Sequence, residues 1–398
     1  MTRITRRKLL SVAPLLPLAP YMTRILFAQP HHGKTQMYIG TYTHPMNGPT
    51  NQGEGIYTAE WDAATGTISG VAVAMKTENP SFFTMPPSRE ALYAVNENEN
   101  DPQPGGGKGG RATSFHRDRG NGALAQRNTV PSGGSDPCYI SVDRGNQAVF
   151  VADYTDGALS SYRVTDKGLE GPVSRLQSEF AKYGLGPNKA RQACPHIHCA
   201  NLSPDERFLL VNDLGTDHIW IFSVDLATAK LALHGEPWKA VPGAGPRHTH
   251  FHPNGRWVYN INEMGASVDA LRWDAEKGTL SMIAEVSLRN ADSPKDSTGA
   301  ELAVDREGRF LYASHRTENT LLVFSIDQQD GSLHFVQRIT SGGKNPRFFT
   351  LDPSEKWLVS ANQDSGDIVV FARDAQTGKL TETKHRLHLG APVCIAFV

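Results

Sequence analysis

The chain has 398 residues, a net charge of −1 and no lysine- or arginine-rich run beyond its N-terminus. That balance supplies no global field to draw it to nucleic acid or to an acidic membrane surface. Its four cysteines form no Cys-x-x-Cys pair and match no zinc spacing; they read as buried free thiols, with a Cys194–Cys199 pair as the alternative in an oxidising compartment.

Residues 1–30 stand apart. Thr5-Arg6-Arg7-Lys8-Leu9-Leu10 leads into the apolar run Ser11-Val-Ala-Pro-Leu-Leu-Pro-Leu-Ala-Pro20. A basic segment followed by a short apolar one is the pattern of an export signal, and the paired arginines indicate the twin-arginine type. The run is too short and too rich in proline for a spanning helix, so no stable membrane insertion is expected. The expected location is periplasmic or secreted, or cytoplasmic if the signal is not functional.

From residue 37 to 398 the chain repeats itself. Alternating strand-like segments recur as Met37-Tyr-Ile-Gly-Thr41, Leu92-Tyr-Ala-Val-Asn96, Val149-Phe-Val-Ala-Asp153, Leu209-Leu-Val-Asn-Asp213, Val258-Tyr-Asn-Ile-Asn262, Leu311-Tyr-Ala-Ser-His315 and Leu358-Val-Ser-Ala-Asn362. Their last residues are 55, 57, 60, 49, 53 and 47 positions apart. Each is followed by another strand and a turn of the type Asp274-Ala-Glu-Lys-Gly278, Asp327-Gln-Gln-Asp-Gly331 or Asp374-Ala-Gln-Thr-Gly378. Proline-containing turns such as Ser203-Pro-Asp-Glu-Arg207 and Asp352-Pro-Ser-Glu-Lys356 precede the segments. Seven strand-rich repeats of about 50 residues predict one all-β domain, a seven-bladed β-propeller. The first repeat lacks its first strand, and Ala391–Val398 supplies a first-type strand with nothing after it. The C-terminal strand is therefore expected to complete the first blade and close the ring. Blades two and three are lengthened by segments 101–110 and 171–194, which read as loops on one face.

In a propeller the same repeat position lines the central channel in every blade, so superposing the repeats locates a site. Pro80, Pro137, Pro246 and Pro346 fall in register, followed by Ser81, Cys138, Arg247 and Arg347; the same count elsewhere gives Ala300 and His198. The position after the last residue of each alternating segment holds Tyr42, Glu97, Tyr154, Leu214, Glu263, Arg316 and Gln363. His198, Arg247, Glu263, Arg316 and Arg347 thus fall in consecutive blades. Arginine forks suit a carboxylate or phosphate, and a glutamate or histidine beside them suits proton transfer. The alternative is a set of structural ion pairs between blades. His196 is two residues from His198 and shares its face. His248, His250 and His252 alternate out of phase with Arg247 and are expected to pack between blades. No carboxylate or cysteine partner supports a metal site at these histidines, and no metal or cofactor is expected.

The stretches Tyr38-Ile-Gly-Thr-Tyr42, Pro195-His-Ile-His-Cys199, Gly245-Pro-Arg-His248, Asn262-Glu263, Tyr312-Ala-Ser-His-Arg316 and Asn345-Pro-Arg-Phe348, in this order and spacing, resemble the lactonase family of seven-bladed propellers. That family includes bacterial propeller-type 6-phosphogluconolactonases and the fungal carboxy-cis,cis-muconate lactonizing enzyme. The resemblance implies hydrolysis of an anionic sugar-acid lactone in carbohydrate metabolism, with a muconate-type cycloisomerase or a non-catalytic sugar- or protein-binding propeller as alternatives. It implies His198, Arg247, Glu263 and Arg316 as the catalytic set. Arg347, from the ring, joins them with His196, Asn262 and Asn362 as candidate substrate-binding residues. The expected partner is a small anionic lactone or organic acid, and the expected state a monomer or weak oligomer. Typical relatives lack an export signal, and they often have Ser-Asn-Arg where this chain has Ser314-His-Arg316.

Overall fold

A computed structural model describes residues 34–44, 52–99, 109–177 and 179–398. The expected export signal and most of segment 101–110 lie outside the described residues. Seven antiparallel sheets follow one another along the chain, each of at least four strands. Blade two runs from Phe83–Thr84 through Ala91–Asn96 and Arg111–Arg117 to Leu124–Pro131. Blades three to seven begin with the innermost strands Pro137–Val142, Ile197–Leu202, Pro246–Phe251, Gly299–Val304 and Pro346–Leu351. Blade one takes its innermost strand from the C-terminus: Pro392–Phe397 pairs antiparallel with Lys34–Thr41, with Tyr38 opposite Ala396. The ring closes as the incomplete repeats imply, which covers edges that would otherwise pair with other chains.

Burial explains the strand order. Second strands such as Ala91–Asn96, Ala148–Asp153, Trp257–Asn262 and Phe310–His315 are buried at every residue. Their two faces pack against two neighbouring blades, so they read as nearly continuous apolar runs. Outer strands such as Thr279–Ser287 keep exposed residues facing water. Seven large apolar clusters result, each spanning one pair of neighbouring blades. One joins Tyr259 and Ile261 to Leu302 and Leu311; another joins Met37 and Trp61 of the first blade to Val359 and Ile368 of the last. Each fully buried large side chain contributes roughly 1.5–3 kcal/mol.

The Asp turns lock one blade to the next. In the blade-six turn the Asp327 carboxylate accepts from the Gln329 amide at 2.8 Å and Gly331 N–H closes the turn on Asp327 O at 2.9 Å. Gly331 has φ +85° and lies against Trp257 of blade five, where a Cβ would come within 2.5 Å of the indole. Its carbonyl accepts from the Tyr259 hydroxyl at 2.9 Å. Tyr312 binds Gly378 of blade seven in the same way.

Segment 171–194 divides differently from expectation. Its first part belongs to the outermost strand of blade three, Gly168–Leu176. The insertion proper follows it, and its described residues include the 3-10 turn Phe180–Tyr183. Gln192 then pins the returning chain, donating to Leu214 O and Asp217 at 2.8 Å each.

Candidate active site

The innermost strands share one irregularity that builds the site. Pairing with the second strand skips a residue between Pro137 and Tyr139, Ile197 and Cys199, Pro246 and His248, and Pro346 and Phe348. The skipped residues are Cys138, His198, Arg247 and Arg347. A β-bulge turns its extra side chain away from the regular alternation. In three of the four the leading residue is a proline, which cannot donate to the ladder; in blade four Ile197 takes that place and the bulge follows there as well. The register identified by superposing repeats is thus the bulge position, and it brings polar side chains to the channel.

Glu263 stands at the centre of one wall, 4 % exposed. Its Oε1 receives Arg191 Nη2 at 2.6 Å. Its Oε2 receives Arg316 Nη2 at 2.9 Å and Arg247 Nε at 3.2 Å, with His198 Nε2 at 3.9 Å. Burial alone would raise the carboxyl, but the surrounding cations, Arg316 and Arg247 foremost, hold it well below the usual carboxylate range. It is ionised at neutral pH. Burial, joined by Arg247 and His248, pushes the His198 imidazole well below its ordinary value, so that ring is neutral. Burial also raises the Cys138 thiol and the Tyr154 hydroxyl, leaving both protonated.

Across the channel stands a second carboxylate, Glu97, which meets Arg347 at 3.5 Å while its Oε2 has no hydrogen-bond partner. The Arg347 guanidinium lies over the Tyr42 ring, 5.5 Å from its centroid. Between the two walls a cavity of about 750 Å³ opens to solvent, within the usual range for a small-molecule site. Four cations line it, Arg191, Arg316, Lys344 and Arg347, against the three carboxylates Glu97, Glu263 and Asp364. Lys344 is exposed at the rim.

His198, Glu263, Arg316 and Arg347 therefore line one cavity. Arg247 does not reach its surface; it lies beneath the floor, held by Glu263 and by Ala300 O at 2.5 Å. Three further candidates stay outside. His196 precedes the strand, which begins at Ile197, so the expected shared face with His198 is lost. It instead binds Tyr154 O at 2.8 Å and stacks on the Tyr154 ring at 4.4 Å. Asn262 is enclosed within blade five, donating to Ser267 Oγ at 3.0 Å and Asp269 Oδ2 at 2.8 Å. Asn362 is likewise enclosed, donating to Ser341 O at 3.1 Å. Repeat superposition missed Arg191, because an insertion has no counterpart in the other blades. It passed over Glu97 and Tyr154, which hold the same repeat position as Glu263 and were open to the same reading. His248 also differs from expectation: the bulge shifts the phase, so His248 faces the channel as Arg247 does. Among the described residues no cluster of His, Cys, Asp or Glu is arranged to hold a metal ion.

This architecture has known relatives. A family model described as "Lactonase, 7-bladed beta-propeller" matches residues 36–397. The chain belongs to that family. It is 33 % identical to a 6-phosphogluconolactonase of Bacillus subtilis over 91 % of this chain and 97 % of that protein. It is 32 % identical to a 6-phosphogluconolactonase of Formosa agariphila over 88 % and 96 % of the two chains. A solved structure described as a periplasmic gluconolactonase of Pseudomonas aeruginosa superposes with a TM-score of 0.82 at 30 % identity, covering 92 % of this chain and 99 % of that one.

Proposed function

We propose that this lactonase-family protein hydrolyses an anionic sugar-acid lactone in the cavity between Glu263 and Glu97. The observation that carries the reading is the ion cluster at Glu263: one buried carboxylate contacted by three guanidiniums at the wall and floor of an open cavity. The relatives named for 6-phosphogluconolactone and gluconolactone hydrolysis support the reaction class.

Arg191 and Arg316 are the partly exposed members of the cluster and take the substrate's anionic group through their free donors. Arg247, sealed beneath, fixes Glu263 in place. Attack of water on the lactone carbonyl puts negative charge on the carbonyl oxygen, and the guanidinium forks stabilise that charge without reorganising. The tetrahedral intermediate collapses by breaking the ring C–O bond. One proton from the water ends on the released ring oxygen, giving the hydroxy acid. In the free protein the arginines make Glu263 a weak base. A bound anion competes for Arg191 and Arg316, relieves that hold, and lets Glu263 accept a proton from the attacking water. The proton that Glu263 takes is relayed through the neutral His198, 3.9 Å away, to the leaving oxygen, so that Glu263 ends as the carboxylate and His198 ends neutral again.

The N-terminal signal pattern and the periplasmic description of the Pseudomonas aeruginosa relative support a lactone met outside the cytoplasm. A lactone panel followed by pH-stat titration tests the function. Purified protein should open charged aldonolactones faster than their uncharged analogues, and Glu263→Gln and Arg316→Ala should abolish the difference. Equal rates for wild type and both variants would overturn the assignment.

A further inference from the structure

The channel has a second mouth with the opposite electrostatic character. Immediately below the bulge residues lie Phe82, Tyr139, His248, Glu301 and Phe348. Phe82 stacks on Tyr139 with centroids 4.4 Å apart, His248 meets Tyr139 edge-on at 5.2 Å, and Phe348 meets Phe82 edge-on at 6.0 Å. These rings fill the channel, and a pocket of about 10 Å³ lies between them and the bulge residues Cys138, Arg247 and Arg347. Beneath the plug a separate cavity of about 440 Å³ opens, lined by the plug's underside together with His250 and neighbouring apolar groups.

Among the described residues Glu301 is the only Asp, Glu, Lys or Arg lining this cavity. It is 7 % exposed. Its one ion-pair contact among the described residues is His248, whose Nδ1 lies 3.2 Å from each carboxylate oxygen. Burial, reinforced by Arg247, outweighs the pull of Glu301 and keeps His248 below its ordinary pKa; burial lowers His250 as well. His248 therefore donates a hydrogen bond without bringing a charge. Arg247 lies on the other side of that imidazole, its Nη1 3.4 Å from both ring nitrogens, and is paired with Glu263. A buried carboxylate without its own counter-ion is costly. Ring faces are negative as well, and stabilise a cation brought among them. The same features repel the anions that suit the first cavity.

We propose that the far mouth is a second binding site, for a small organic ammonium ion of the choline class. Its charge compensates Glu301, its alkyl surface packs on Phe82, Tyr139 and Phe348, and the cavity is large enough to hold it.

Calorimetric titration of the full chain with choline chloride tests this, with 3,3-dimethylbutan-1-ol as the uncharged isostere and potassium chloride as the bare cation. Choline should bind saturably with a Kd of about 1 mM or tighter. The isostere and potassium should neither bind nor compete. Glu301→Gln should weaken choline about tenfold, and Phe348→Leu severalfold, in protein whose melting is checked separately. Arg316→Ala, at the other mouth, should leave choline affinity within about twofold. Absence of saturation by about 10 mM choline, equal binding of the isostere, or displacement by potassium would each overturn the proposal on wild-type protein alone. Loss of choline binding in Arg316→Ala but not in Glu301→Gln would also overturn it, by moving the ligand to the other cavity.

Discussion

Glu263 and Glu97 occupy the same repeat position in different blades, yet their surroundings differ sharply. Glu263 is gripped by Arg191, Arg247 and Arg316, with His198 close by. Glu97 has a single arginine at 3.5 Å and one oxygen with no partner. The blade geometry decides where the side chain stands; residues from neighbouring blades decide what it can do. Three guanidiniums around one carboxylate leave a positive surplus at the Glu263 wall, the charge that the proposed anionic substrate needs. The Glu97 wall is balanced by its single arginine and shapes the cavity more than it charges it.

Glu263→Gln tests this contrast most severely. Removing a buried carboxylate leaves three guanidiniums facing one another, so the variant should lose about 3–5 kcal/mol of stability in denaturant titration, together with lactonase activity. Arg316→Ala should cut kcat/KM by about 10²–10³ with a much smaller change in melting, because its side chain is 15 % exposed and borders the cavity. Glu97→Gln should cost no more than roughly tenfold in kcat/KM, because Glu97 makes one long ion pair, with Arg347, and pairs with none of the guanidiniums at Glu263. Should Glu97→Gln prove as damaging as Glu263→Gln, the two walls are not different in kind. Acid supplies an independent measure. The Glu263 carboxyl is depressed well below its reference of 4.5 by folding, so its stabilising contribution is fully present above that reference and is lost only as pH falls through the lower folded value. Unfolding monitored against pH should show wild type intact at pH values where ordinary carboxylates are already protonating. The acid transition of Glu263→Gln should lack that component.

The seven blades, the closing strand and the positions of His198, Arg247, Glu263, Arg316 and Arg347 were legible because a repeat is a coordinate system: equal positions converge on one channel. The same logic failed wherever the chain leaves the repeat. Arg191 sits in the blade-three insertion, which has no equivalent elsewhere to be compared with. His196 lies one residue outside its strand, so simple alternation did not apply to it. Strict alternation, which ignores a bulge, places His248 in the gap between blades; one extra residue reverses the phase. Asn262 and Asn362 sit next to channel positions in sequence, but the backbone turns them into their own blades. There the amide nitrogens are satisfied by Ser267, Asp269 and Ser341, although the buried Asn362 Oδ1 keeps no hydrogen-bond partner.

The smallest expected effect separates binding from chemistry at Arg191. Tyr154 accepts from Arg191 Nη2 at 3.0 Å, while its ring stacks on His196 and meets His198 edge-on at 5.6 Å. Tyr154→Phe keeps both ring contacts and removes only the hydroxyl, leaving Arg191 held by Glu263 at 2.6 Å. One hydrogen bond to a held guanidinium is worth about 1 kcal/mol, or roughly fivefold. If Arg191 grips the substrate equally in the ground and transition states, steady-state kinetics should show that factor in KM with kcat unchanged. A fall in kcat instead would mean that Arg191 acts on charge developing at the carbonyl, as expected of Arg316. Combining Tyr154→Phe with Arg191→Gln should then cost no more than Arg191→Gln alone, because the hydroxyl acts only through the guanidinium it holds.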